Sequence, residues 1–317
     1  MRACARGGGS CYSETPPTKT ACACDSKARP GLERDRGDGR RFVEKKTGAP
    51  SVQEGKRLGM QEFSSDGVRI AYLDFPAEGE DRGQPILLIH GFASNHGVNW
   101  LFPQWVKTLT RAGRRTVVFD NRGHGRSEKL YDPEAYRPQI MADDAARLLD
   151  HLGIARADVM GYSMGARVAA HLALAAPERI RGLILAGLGV HLIDEDGLPS
   201  GVAEAMEAES LEDLVDPKQR MFRAFADSTR SDRRALAACI RGSRQAMAAR
   251  EIAAITPPTL ICVGSEDDVA GDPAPLAALM RNARALTIPG RDHNRAVGDK
   301  VYKEGALAFL DGLKPVV

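Results

Sequence analysis

Apolar residues recur along the chain in two rhythms, and from residue 61 onward these alternate. The stretch "QEFSSDGVRIAYLDFPA" (61–77) reads as two strands around Asp66-Gly67, a hairpin turn signal. "QPILLIH" (84–90) and "RRTVVFD" (114–120) are continuous apolar runs, as expected of strands buried on both faces. Between them, Trp105 and Leu109 stand at helical spacing. "PQIMADDAARLLDHLG" (138–153) predicts an amphipathic helix ending at Gly153. A short strand "ADVM" (157–160), a helix "SMGARVAAHLALAAP" (163–177) and a strand "IRGLILAGLG" (180–189) follow. After a gap come the strand "PTLICVG" (258–264), a helix around "PLAALMR" (275–281), the strand "ARALTIPG" (283–290) and a last helix near 300–313. Buried strands alternating with helices predict an α/β fold, a mostly parallel, doubly wound sheet with helices on both faces.

Residues 191–256 interrupt the alternation with helix-like stretches, "VAEAMEAESLEDLVD" and "SDRRALAACIRGSRQAMAAR". An insertion of this size between two late strands predicts a helical cap over the carboxyl edge of the sheet. The core is then 60–190 together with 257–317.

Residues 1–59 are rich in Gly, Pro, Arg, Lys, Ser and Thr and nearly devoid of large apolar side chains. Such a stretch buries too little surface to offset its ordering entropy, so a disordered tail is expected. It lacks the apolar core of a secretory signal. Met60 stands directly before the first strand pattern, which suggests that the biological start lies there. The tail also distorts the charge balance. It holds 13 Lys and Arg against 7 Asp and Glu, leaving 31 against 35 in the body out of a net +2. A mildly acidic body gives no reason to expect a nucleic-acid partner. No apolar run approaches the roughly 20 residues that span a bilayer, so no membrane partner is expected. Four of the six cysteines, Cys4, Cys11, Cys22 and Cys24, lie in the tail. Their spacing is irregular and no histidine is near, which argues against a metal site. Cys239 and Cys262 alone make no disulfide framework, and the expectation is a cytoplasmic protein, monomeric or homo-oligomeric.

In open α/β sheets, sites form beyond the carboxyl ends of the strands. The chemically interesting residues stand there: His90-Gly91-Phe92, Asp120, Ser163, Gly264 to Asp268 and His293. Ser163 lies in Gly161-Tyr162-Ser163-Met164-Gly165, between a short strand and an Ala-rich helix. That context fits the sharp turn that exposes a nucleophilic serine. A serine hydroxyl needs a base, an acid to orient the base, and donors for an oxyanion. Met164 opens the helix, so its N–H can face that oxyanion.

From about 61 to 315 the chain resembles the α/β-hydrolase family. "HGFASN" looks like the oxyanion loop, "FDNRGHGRS" like the loop after the next strand, and "GYSMG" like the nucleophile elbow. "GSEDD" looks like the acid loop and "IPGRDHN" like the histidine loop. The resemblance implies Ser163 as nucleophile and His293, late in the chain, as base. It places the acid three residues after Gly264, at Asp267, with Asp268 as runner-up; Glu266 and Asp272 share the loop, and Asp194 and Asp196 follow the preceding strand. The oxyanion donors are then the amides of Phe92 and Met164. His90 is expected to hold the oxyanion loop, and His124 to be solvated or packed in its own. His151 and His171 fall in helices, while His96 and His191 lie near the site mouth. Asp120 and Arg122 read as structural. No metal or organic cofactor is implied.

The expected reaction is hydrolysis of a small, largely apolar carboxylic ester or lactone through an acyl-enzyme. The cap offers few aromatics, Phe222 and Phe225, beside Leu198, Val202, Met206, Met221 and Met247. The same scaffold also serves enol-lactones, amides, carbon–carbon bonds and perhydrolysis, or a binding protein with a vestigial site. Relatives that open epoxides or remove halides carry an aspartate where Ser163 stands.

Overall fold

The computed structural model describes residues 59–82, 84–194 and 200–314. The tail to residue 58 with its four cysteines, Asp196 and Leu198 lie outside the described residues. Eight strands form one sheet: β1 (Gln61–Ser65), β2 (Val68–Phe75), β3 (Ile86–Ile89), β4 (Thr116–Phe119), β5 (Ala157–Tyr162), β6 (Ile180–Ala186), β7 (Thr259–Gly264) and β8 (Ala283–Ile288). Their spatial order is β1-β2-β4-β3-β5-β6-β7-β8, with β1 and β2 antiparallel to their neighbours and the rest parallel. The hairpin turns at Asp66 and Gly67, both at positive φ (51° and 82°), the backbone that an Asp-Gly pair supplies at low cost.

Why the central strands are continuous apolar runs is visible in their packing. On β3, Leu87 and Ile89 join one hydrophobic cluster and Ile86 and Leu88 the other. Successive side chains point to opposite faces, and both faces are covered. One cluster packs under α2 (Pro138–His151), α3 (Met164–Ala175) and α8 (Pro273–Leu279) through Leu148, Val168 and Leu276. The other packs under α1 (Trp105–Arg111) and α10 (Lys300–Asp311) through Trp105, Leu109, Tyr302 and Phe309. A short helix, α9 (His293–Ala296), precedes α10.

The insertion between β6 and β7 contains α4 (Val202–Glu207), α5 (Pro217–Ser228), α6 (Arg233–Ser243) and α7 (Ala249–Ala253). Each of the two helix-like stretches seen in the sequence is shorter or broken here. The first gives only α4, because Arg223 of α5 reaches across and takes the carbonyls of Ala205 and Ala208 at 3.0 and 2.7 Å. The second divides into α6 and α7. Asp216 and Asp232 cap α5 and α6 by accepting the amides of Gln219 and Ala235.

Register sets where the site falls. Ile89 lies opposite Gly161, Tyr162 opposite Ala186, Ala186 opposite Cys262, and Gly264 opposite Ile288. The carboxyl ends of five strands therefore finish along one edge, and their following loops converge.

Candidate active site

Ser163 stands between the last residue of β5 and the first of α3, at φ 55° and ψ −119°. This is a left-handed conformation that L residues avoid, held because the glycines two residues to either side are packed without room for a side chain. A Cβ on Gly161 would lie 2.1 Å from the carbonyl oxygen of Gly165, and one on Gly165 would lie 2.0 Å from that of Ile89. The Ser163 amide donates to the carbonyl of Ala186 at 2.7 Å, which pins the turn to β6.

The hydroxyl of Ser163 lies 3.0 Å from Nε2 of His293. Nδ1 of His293 lies 2.8 Å from Oδ2 of Asp267. With Nδ1 donating to the carboxylate, Nε2 is left as acceptor for the serine O–H. Oδ1 of Asp267 accepts the amides of Val269 and Ala270 at 3.0 and 2.9 Å, so the carboxylate is fixed from behind. Asp268 instead points outward, 71% exposed, and pairs with Lys218 of α5 at 3.0 Å. Asp272 and Asp292 cap α8 and α9, while Asp194 and Glu266 are exposed. Of the acids in reach by sequence, Asp267 is the one brought to the imidazole among the described residues.

Around the oxyanion loop, His90 is fully buried. Its Nδ1 donates to the carbonyl of Gly91 at 2.8 Å and its Nε2 accepts the amide of Asn121 at 3.0 Å. Gly91 C=O and Phe92 N–H belong to one planar peptide and point in opposite directions. Holding the carbonyl therefore aims the Phe92 amide away from His90. Burial, against the attraction of Asp120, pushes His90 down to about 4, so it stays neutral and keeps its acceptor nitrogen. The amides on either side are committed: Gly91 to Asn99 Oδ1, Ser94 to Gly91, Ser163 to Ala186 and Ala166 to Ser163. The Phe92 and Met164 amides between them make no hydrogen bond among the described residues.

The remaining histidines are elsewhere. His96 Nδ1 binds Asp120 at 2.8 Å and His191 Nδ1 the carbonyl of Val269 at 2.8 Å; neither lines the cavity. His124 is packed and fully buried, its Nδ1 on the carbonyl of Arg122. Burial and then the nearby His90 push it down to about 3. His151 stacks on Phe63, and His171 is buried in α3. Burial alone would raise Asp120, but hydrogen bonding from His96 and the charges of His90 and His96 bring it down to about 2. Arg122 makes a two-pronged buried pair with Asp144 at 2.7 Å on each arm.

A cavity of about 290 Å3 opens over Ser163 and His293. Met221, Phe222 and Phe225 of α5 form its cap wall; Val98, Asn99 and Val297 line the core side. Val202, Met206 and Met247 are buried inside the cap instead. Two further residues serve the site without any signal in the sequence pattern. Tyr162 lines the cavity and donates its hydroxyl to the carbonyl of His293, and Asn99 ties down Gly91. Among the described residues no group of three His, Cys, Asp or Glu side chains could hold a metal ion, and no helix is long and apolar enough to cross a membrane.

Known proteins share this fold. The alpha/beta hydrolase fold family matches residues 84–200. A hydrolase from Pseudomonas aeruginosa superposes with a TM-score of 0.65 at 26% identity, covering 80% of this chain and 99% of that one. The chain has the α/β-hydrolase fold. A putative non-heme bromoperoxidase BpoC of Mycobacterium tuberculosis is 36% identical over 118 residues, 37% of this chain and 41% of that protein. Epoxide hydrolase B of the same organism is 35% identical over 141 residues, 43% of this chain and 38% of that protein. The chain thus spans about two fifths of the length of these two curated relatives.

Proposed function

We propose that this protein is a serine hydrolase that cleaves a small, largely apolar carboxylic ester or lactone through an acyl-enzyme. The observation that carries the reading is the unbroken series from Ser163 Oγ through His293 to Asp267, at 3.0 and 2.8 Å, opening into an apolar cavity. His293 takes the proton of Ser163 as its oxygen attacks the carbonyl. The negative oxygen that forms sits against the Phe92 and Met164 amides, each such donor being worth on the order of 3 kcal/mol in the barrier. The protonated imidazole, steadied by Asp267, then hands its proton to the departing alkoxide. Water, deprotonated by the same nitrogen, releases the acid and restores Ser163. No step calls for a metal or cofactor.

The size of the cavity supports a small substrate. Its 290 Å3 stands at the low end of ligand pockets, which run from about 300 to 1,000 Å3. The likeness to an epoxide hydrolase does not alter the reading. A serine that opened an epoxide would be left as an ether, and nothing placed here cleaves an ether, whereas an acyl-serine is open to water. The likeness to a non-heme bromoperoxidase favours one second reading, in which hydrogen peroxide takes the place of water and the acid leaves as a peracid.

The test is turnover of p-nitrophenyl esters of increasing chain length and of simple lactones, with and without peroxide, by the wild type and Ser163→Ala. Hydrolysis of short and medium esters that disappears in the variant is expected. Turnover that survives Ser163→Ala sinks the serine mechanism, and absence of turnover with retained ligand binding favours a binding protein.

A further inference from the structure

The oxyanion loop is gripped from two sides. From the core, His90 holds the carbonyl of Gly91, and Asn99 holds its amide. From the cap, the grip is on Ala93. This residue is fully buried and stands at φ 56°, a left-handed conformation with a side chain present. Its carbonyl is thereby turned toward the turn between α5 and α6. There Thr229 Oγ1 donates to it at 2.9 Å, and Ser231 Oγ lies 3.5 Å away. The two hydroxyls are 2.8 Å apart.

One arrangement of the hydrogens satisfies every acceptor. Thr229 Oγ1 also lies 3.0 Å from the carbonyl of Ala226, the ordinary local bond of a threonine at a helix end. But that carbonyl already accepts the amide of Ser231 at 3.0 Å. With the Thr229 hydrogen on Ala93 both carbonyls are paired, and the Ser231 hydrogen then goes to Thr229. A buried carbonyl left without a donor is costly, so the pair holds the loop in place.

We infer that Thr229, backed by Ser231, is a positioning residue for the oxyanion hole, one that rests on the serine mechanism proposed above. It acts through Ala93 on Phe92, whose amide is the donor. The helix that ends at Thr229 also carries Met221, Phe222 and Phe225 to the cavity, and the Phe222 and Phe92 rings pack edge to face with centroids 6.2 Å apart. One cap helix thereby serves both ends of the substrate, its side chains the apolar part and its last turn the carbonyl.

Reaction with an alkyl fluorophosphonate isolates this role without knowledge of the substrate. Ser163 Oγ bonds to phosphorus, His293 takes the serine proton, fluoride leaves, and the phosphoryl oxygen occupies the oxyanion hole. Labelling rates would be read by intact mass for the wild type, Thr229→Val/Ser231→Ala and Thr229→Ser, at a temperature where thermal unfolding shows each to be folded. The double variant should label at least tenfold more slowly, and Thr229→Ser within about threefold of the wild type. On an ester that the wild type hydrolyses, kcat should fall with KM within about twofold. A double variant that labels within twofold of the wild type overturns the inference and leaves the serine mechanism standing. A wild type that is not labelled at Ser163 overturns both. If the double variant does not fold, Thr229→Val alone is held to the same limits.

Discussion

The hydroxyl of Tyr162 donates to the backbone carbonyl of His293 at 2.5 Å, so the residue before the proposed nucleophile anchors the proposed base. Burial first, and then the charges of Asp267 and Asp292, push this phenol well above its usual range, and it remains a donor at any working pH. Tyr162→Phe removes only that hydroxyl. A hydrogen bond of this kind contributes about 0.5–1.5 kcal/mol, so kcat should fall roughly 2- to 10-fold with little change in KM. Steady-state kinetics on the best ester would check it; an unchanged kcat would show that packing alone holds His293.

Asp267→Asn should be far more damaging than Asp268→Asn. The first turns the carboxylate that faces Nδ1 into an amide, and a loss of roughly 10^4-fold in kcat accompanies that change in a serine triad. The second removes one exposed ion pair with Lys218, a kind of contact worth at most about 1 kcal/mol. Its kcat should stay within about twofold. The reverse order of losses would reassign the acid.

Gly165→Ala places a methyl group against the carbonyl of Ile89, backbone that cannot swing aside. Destabilisation of about 1–3 kcal/mol is expected, read as a lower denaturant midpoint. Because β3 and the elbow must move apart, hydrolysis should suffer more than stability. A variant of wild-type activity would mean that the turn is looser than its contacts imply.

Three buried histidines make the fold sensitive to acid. Burial holds His90 and His171 near 4 and His124 near 3, with Arg167 adding to the effect on His171 and His90 to that on His124. In the unfolded chain histidine titrates near 6.5. Between these values the unfolded chain binds more protons, so stability rises with pH and is lost on acidification from about 6.5 toward 4. The slope is at most about 1.4 kcal/mol per pH unit for each histidine. Urea unfolding at pH 7, 6 and 5 would measure it, and a flat profile would contradict the assignment of neutral buried imidazoles.

Much of this architecture is legible along the chain, because runs such as "ILLI" and "TVVF" must be buried on both faces and leave few alternatives. The order of loops after those strands also announces Ser163, His293 and the acid loop. The cap is less legible. Where α4 ends depends on Arg223, a residue from the next helix, and no local pattern carries that information. His124 lies in a loop of glycines and charges that leaves open whether it is solvated or packed, and contacts remote in sequence, with His90 and Phe92, decide for packing. Tyr162, Asn99 and Thr229 escape for the same reason: each acts by one hydrogen bond to a backbone atom that sequence does not place.

The pairing of β6 with β7 has a consequence for how such a molecule can be remade. Ala186 lies beside Cys262 as though residues 187–258 were not there. The sheet closes across the insertion, so the frame that holds Ser163, His293 and Asp267 needs nothing from it for its register. A different set of helices could be spliced between these two strands, and selectivity exchanged wholesale while the reaction is kept. The graft would have to bring a hydroxyl of its own to the carbonyl of Ala93, and carbonyls for the buried Arg167 of α3, whose guanidinium now meets those of His191, Leu192 and Gln245.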